Sequence, residues 1–147
     1  MIGPVGAAQT ERLARLAATH KAAFAPESRG WSADEIADLA ARGLLIAHDD
    51  DASLALFSLV ADEAELLTLA VRPEQRRRGR AAALLSAALP LLSERGARSL
   101  FLEVAADNTP ARALYEATGF QSTSIRKNYY RQNRAQPVDA IVMTLTL

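Results

Sequence analysis

The chain has 147 residues, half of them hydrophobic, with 17 basic against 17 acidic side chains and no cysteine. That length suits one sizeable core, a single domain over 1–147; the charge balance gives no broadly basic surface for nucleic acid; and the missing thiols exclude a disulfide framework, a thiolate metal site and a covalent cysteine mechanism. No run approaches the roughly 18 apolar residues of a membrane span and no basic-then-apolar leader opens the chain, so a soluble, cytoplasmic protein without a membrane partner is expected.

In chain order, "MIGPVG" (1–6) allows only a short or irregular strand, because Gly3, Pro4 and Gly6 punctuate it. Leu13, Leu16, Ala17 and Phe24 recur at helical spacing and predict a helix over 10–24. After a loop over 25–30, "WSADEIADLAARG" (31–43) carries a helix signature: Ser32 as cap, Glu35 at the capping-box position, Ile36, Leu39 and Ala40 as the apolar face and Gly43 as the stop. "LLIAH" (44–48) and "SLALFSLVA" (53–61) read as a strand hairpin closed by the acidic turn 49–52, whose carboxylates point in different directions and are expected to be solvated.

A strand over 64–71 leads through an arginine-rich turn into a helix over 80–94, which Pro90 should kink or divide. A strand over 98–106 precedes a short helix in 107–119, with Asn108 as cap, Pro110 in the first turn and Gly119 as terminator. Two strands, 120–130 and 139–147, joined by a polar loop, complete an α/β pattern whose strand–helix alternation implies a mixed sheet with parallel members and helical cover. His20 and His48 stand in no ligand spacing and are read as ordinary surface or partly buried side chains, so no metal is expected.

Five arginines, Arg72, Arg76, Arg77, Arg78 and Arg80, surround Gly79 immediately before the apolar helix. A helix N-terminus already offers unpaired N–H groups and partial positive charge, so this segment suits a phosphate, and a pyrophosphate best. Gly79 permits close approach or an unusual backbone angle, while Ala81 and Ala82 keep the first turn free of bulk. The alternative is a solvated basic turn, although cations at this end oppose the helix dipole. The spacings of phosphoryl-transfer and dinucleotide loops are absent.

Residues 63–85 followed by 100–120 resemble the two core motifs of the GNAT superfamily of N-acetyltransferases, with "RRRGRA" (76–81) as its (Q/R)-x-x-G-x-(G/A) loop. "WSADE" (31–35), "IRKNYY" (125–130) and "DAIVMTL" (139–145) make the similarity closest to the RimI type, which acetylates the N-terminal alanine of a small-subunit ribosomal protein. The likeness spans roughly residues 24–146. Ala81 replaces the commoner glycine, Arg80 makes the loop unusually basic, and the first strand is barely legible. The resemblance implies a GNAT fold, with a splayed parallel strand pair and helices on both sheet faces, and acetyl-coenzyme A as cofactor. It also implies that backbone groups of Leu69, Ala70 and Val71 hold the acetyl and pantetheine portions, while the amides of Arg76, Arg77, Arg78, Gly79, Arg80, Ala81 and Ala82 grip the pyrophosphate.

In "SLFLEV" (99–104), Leu100, Leu102 and Val104 share one face and leave Glu103 on the other beside Phe101. On residue type alone, Glu103 is equally a catalytic carboxylate or an ion-pair partner. The resemblance implies that it is the general base, working through a water, and that Tyr115 is the proton donor to the departing sulfur; packing is the plainer role for Tyr115. Asn108 matches a cofactor contact and can remain a helix cap. Trp31 either supports substrate entry or staples the first helices, and Tyr129 and Tyr130 either border a peptide cleft or pack as a pair.

A peptide α-amine, with pKa near 8, is roughly a tenth neutral at pH 7, against less than about a thousandth for lysine, so one modest base suffices for an N-terminus. The expected acceptor is therefore a protein N-terminus, which the resemblance makes a ribosomal one above all. Lysine or small-amine acetylation is the rival chemistry, and a noncatalytic coenzyme A-binding or ribosome-associated module the rival class. Oligomeric state stays open, with a monomer as the working expectation.

Overall fold

The computed structural model describes residues 1–26, 28–131 and 135–147. Glu27, in the 25–30 loop, and residues 132–134, in the polar loop before the last strand, lie outside the described residues. Among the described residues seven strands form one sheet: β1 (Ile2–Pro4), β2 (Gly43–His48), β3 (Ser53–Val60), β4 (Glu63–Val71), β5 (Ser99–Ala105), β6 (Gln121–Tyr130) and β7 (Val138–Thr146). Their spatial order is β1-β2-β3-β4-β5-β7-β6, antiparallel at every step except between β4 and β5.

Helices cover both faces, as the resemblance implies. On one face α1 (Thr10–Phe24) and α2 (Ala33–Ala41) bury Leu13, Leu16 and Ile36 against Leu45, Leu54 and Leu56. On the other, α3 (Arg80–Glu94) buries Leu84, Leu85, Ala88 and Leu92 against Ile46, Phe57, Leu100 and Leu102, with Leu114 and Tyr115 of α4 (Thr109–Thr118) packed beside them. Successive residues of β2 and β3 are thus buried on opposite faces, which is why these strands read as continuous apolar runs rather than as an alternation.

One irregularity sets up the site. Leu56 of β3 pairs with Thr68 and Phe57 with Leu66, leaving Leu67 as an extra residue in β4. The bulge inverts the alternation: Ala64 and Leu66 belong to the α3 side before it, whereas Ala70 belongs to the α1 side and Leu69 to the α3 side after it. Parallel pairing with β5 covers only Glu63–Glu65 against Ser99–Phe101. Beyond that point the two strands part, so the edge of β4 that faces β5 has no strand partner.

Several local expectations meet different physics. The capping box is present, with Glu35 N–H donating to Ser32 Oγ and Ser32 N–H to Glu35 Oε1. The Arg29 hydrogen bond, followed by the Ser32 N–H, holds the Glu35 carboxyl down to about 2. Gly43, however, is not the stop of α2; Arg42 is the cap, and Gly43 opens β2 opposite Ser58. A Cβ there would lie 2.0 Å from the Phe57 carbonyl oxygen, so the position is glycine because two backbones approach closely. Pro90 does not divide α3, which runs unbroken over Arg80–Glu94. Both Pro90 and Ser86, whose carbonyl loses its N–H partner, are exposed, so water can serve that acceptor.

The acidic turn is likewise more than a solvated loop. Asp50 pairs with Arg80 at the head of α3, and Asp51, only 6% exposed, accepts from Arg12 Nε and Arg15 Nε at 2.8 Å each. Burial pushes the Asp51 carboxyl up, but the Arg15 and Arg12 bonds together outweigh it and hold it below its ordinary value. Thr19 Oγ1 donates to the Asp51 carbonyl and accepts from Arg72 Nε, which locks α1 to both the turn and the end of β4. No group of three or more metal-ligating side chains occurs among the described residues.

His20 is the other buried polar joint. Its Nδ1 accepts the Trp31 N–H at 3.0 Å, which leaves Nε2 as the protonated nitrogen and makes it the donor to Thr68 Oγ1 at 3.0 Å. Burial lowers its pKa against the opposing pull of Glu35, and the rings of Trp31 and Phe24 lie 4.9 and 4.7 Å from its own. The neutral imidazole therefore fastens α1, the start of the α2 segment and the bulge together.

Candidate active site

The parting of β4 and β5 opens a cleft of about 1380 Å³ between the sheet, the end of α1 and α4. A smaller cavity of about 180 Å³ adjoins it at the head of α3. The residues nominated on β4, β5 and α4 line the cleft although they are spread over some fifty positions of chain, and those of the arginine loop line it or the adjoining cavity, except Arg78, which lines neither.

The first wall is made of backbone. Gly79 stands in the left-handed region at φ +74°, and a Cβ on it would meet no protein atom within 4 Å. What the glycine supplies is the backbone angle, not room against the rest of the fold. The first helical hydrogen bond is Ala83 N–H to the Gly79 carbonyl. Gly79 contributes no side-chain cap, so the amides of Arg80, Ala81 and Ala82 are the donors that the start of a helix leaves unused. Leu69, Ala70 and Val71, on the unpaired edge of β4, continue this wall.

The arginines divide into different settings. Arg76 Nη2 donates to the Ala23 carbonyl at 2.8 Å and so ties the loop to the end of α1. Arg77 sits at φ +63°, Arg78 Nη1 donates to Gln75 Oε1 at 3.4 Å, and both are exposed. Arg80 is engaged by Asp50, its side chain 13% exposed and its Nε buried without a hydrogen-bond partner among the described residues. Its guanidinium is thus committed to the acidic turn, a contact that sequence reading missed because the two residues are thirty positions apart.

The second wall is made of side chains. Leu100, Leu102 and Val104 are buried on the α3 side, and Glu103 faces the cleft from the opposite side of β5, as the alternation predicts. Its Oε1 lies 3.2 Å from Arg126 Nη1 on β6, and the Arg126 guanidinium rests 5.1 Å from the centre of the Tyr129 ring. Tyr129 meets Tyr130 edge to face at 5.2 Å, and both rings line the cleft. Arg126 is the site residue that sequence reasoning missed; its place in the cluster depends on β6 folding back on β7.

Tyr115 lines the cleft from α4, held edge to face on Phe120 at 5.8 Å. Burial, and then the neighbouring Tyr130, push its phenol up to about 12, so it keeps its proton throughout the neutral range. Asn108 caps α4, its Oδ1 accepting the Ala111 N–H at 3.3 Å, and also lines the cleft. For both residues, packing or capping and a place on the cleft coexist. Trp31 is not among the cleft-lining residues; it stacks on His20, the stapling role.

These features fit a coenzyme with a diphosphate and an amide-bearing arm. The glycine turn and free helix amides would hold the diphosphate, and the unpaired edge of β4 would hydrogen-bond the arm.

A mixed sheet opened between two parallel strands, with a glycine-led helix behind the opening, is the framework of the GNAT N-acetyltransferases. Residues 7–120 match the acetyltransferase (GNAT) family, and the chain belongs to it. It is 43% identical over 96 residues to the ribosomal protein bS18-alanine N-acetyltransferase of Escherichia coli K12, a match covering 65% of this chain and 64% of that protein. It is also 43% identical over 103 residues to the enzyme of the same name from Salmonella typhimurium, covering 70% and 69%. The crystal structure of the Escherichia coli ribosomal-protein-S18-alanine N-acetyltransferase superposes with a TM-score of 0.83 at 34% identity, over 99% of this chain and 92% of that one.

Proposed function

We propose that this protein, acting as one N-acetyltransferase domain over 1–147, transfers an acetyl group from acetyl-coenzyme A to the N-terminal α-amine of a protein. The leading substrate is the N-terminal alanine of a small-subunit ribosomal protein. The observation that carries this reading is the convergence of Glu103, Tyr115 and the amide-rich head of α3 on one cleft. The substrate class follows the relatives named above, and a ribosomal-protein substrate goes with an activity in the cytoplasm, where ribosomal proteins are made.

Bound in the cleft, the coenzyme would supply an activated acetyl thioester. The protein's task is then proton management. Glu103, through a water, takes the proton that the amine loses as its nitrogen joins the acetyl carbon. Tyr115, protonated because burial holds it near 12, gives a proton to the sulfur that departs. Asn108 and the amides of residues 76–82 fix the donor, and Tyr129 and Tyr130 border the peptide. A noncatalytic coenzyme-binding module has no need of a carboxylate and a phenol facing the same opening.

The test is to incubate the purified protein with acetyl-coenzyme A and peptides that differ only in their first residue or in a blocked α-amine. Acetylation should require the free α-amine and favour N-terminal alanine. Transfer that persists on a peptide blocked at its α-amine overturns the reading in favour of lysine.

A further inference from the structure

Glu103 has charged company on its sheet face. Glu65 is the last residue of β4 in parallel register with β5, opposite Phe101. Its neighbours Ala64 and Leu66 belong to the α3-side core, so Glu65 projects from the other face, as Phe101 and Glu103 do. It stands diagonally across from Glu103, within reach of long side chains. Burial raises the Glu65 carboxyl, the negative charge of Glu103 raises it further, and Arg126 opposes both. From the far side, Arg126 contacts Glu103 Oε1 and is itself seated on Tyr129.

We infer that Arg126 and Glu65 are positioning residues that bracket Glu103 with opposite charges: Arg126 anchors one carboxylate oxygen and leaves the other for a water in the cleft, while Glu65 offsets the charge of the anchor. This rests on the assignment of Glu103 as base. Without Glu65, Arg126 would bind the base as a plain ion pair; without Arg126, two carboxylates would face each other at the point where the strands separate. Of the other charged or titratable groups that line the cleft, Tyr130 and Tyr129 end β6 with Arg131 just beyond, Tyr115 lies on α4, and Arg76 is bonded to the Ala23 carbonyl; β7 sets apolar Val142 opposite Glu103. Asp139, further along β7, is engaged by Lys127 and by the Asn128 N–H.

Arg126 and Glu103 should act on Glu65 with opposite sign, because a cation favours the ionised carboxylate and an anion disfavours it. In free protein with carbon-13-labelled glutamate, the Glu65 side-chain resonance, identified by its loss in Glu65→Gln, is followed against pH. Arg126→Gln should move its titration midpoint up and Glu103→Gln should move it down, and Arg126→Lys should stay closer to wild type. In turnover, Arg126→Gln should lower kcat roughly 3- to 10-fold with the peptide KM changed less than about twofold, and Arg126→Lys should recover part of the loss. Midpoints that stay put, or that move the same way in both variants, overturn the bracket, as does an Arg126→Gln defect confined to KM. If the opposite shifts appear but Glu103→Gln acetylates at the wild-type rate, the base assignment fails and the electrostatic bracket stands.

Discussion

The two walls of the cleft are built of different material. The wall formed by β4 and the head of α3 presents main-chain donors, shaped by one bulge at Leu67 and one left-handed glycine at position 79. The wall formed by β5, β6 and α4 presents side chains: Glu103, Tyr129, Tyr130 and Tyr115, with Arg126 paired to Glu103. A backbone wall is sensitive to conformation and indifferent to most side-chain identities. A side-chain wall is the reverse, because its chemistry resides in particular atoms on an ordinary strand and helix.

The sharpest test of that contrast falls on the second wall. Glu103→Gln and Tyr115→Phe keep shape and fold while removing a proton acceptor and a proton donor, so each should reduce kcat by about 10²- to 10⁴-fold with coenzyme affinity retained. Single-turnover rates and calorimetric titration with coenzyme A separate the two quantities. The pH profile adds a sign. A proton donor is lost only as pH rises through its own pKa, and Tyr115 sits near 12, so wild-type kcat should show no falling limb from this group below about pH 10. Near-normal turnover in both variants removes the acid and the base together.

The first wall should respond to conformation. Gly79 holds φ +74° with open space where a Cβ would go, so Gly79→Val meets no clash but must adopt an angle that costs a β-branched residue roughly 1–2 kcal/mol. If the turn distorts to relieve it, the head of α3 shifts, and coenzyme A affinity should fall on the order of tenfold while Glu103 and Tyr115 remain in place. Unchanged affinity in a well-folded Gly79→Val protein would mean that this backbone does not grip the donor.

The same contrast explains which parts were legible in the sequence. Signals confined to a few neighbouring residues survive translation into structure: the Ser32–Glu35 capping box, the left-handed Gly79 and Gly119, the Asn108 cap, and the alternation that turns Glu103 away from Leu102 and Val104. What escaped depends on residues brought together from afar. Arg12 reaches Asp51 across 39 positions and His20 reaches Thr68 across 48, so an acidic turn and a lone histidine look like surface until α1 is laid on the sheet. Gly43 was misplaced for the same reason: its constraint is the carbonyl of Phe57 on the adjacent strand, not the helix before it. Arg126 lies inside the stretch 125–130 that carries the resemblance, but in a strand exposed along almost its whole length, where only the contact with Glu103 singles it out from its neighbours.

The smallest expected effect probes the arginines on the backbone wall. If main-chain donors carry the diphosphate, the exposed Arg76 and Arg78 supply only a screened field, and Arg76→Glu or Arg78→Glu should raise the Kd for coenzyme A by a few-fold at low salt. For Arg78 the effect should shrink toward nothing as ionic strength approaches about 1 M, where the screening length is roughly 3 Å. Arg76 should be the more costly of the two even in salt, because its guanidinium also holds the Ala23 carbonyl and hence the loop against α1, whereas among the described residues Arg78 hydrogen-bonds Gln75, within its own loop. A loss of tenfold or more at Arg78 that persists in high salt would show a direct side-chain grip on the anion, and the difference between the two walls would then be one of degree.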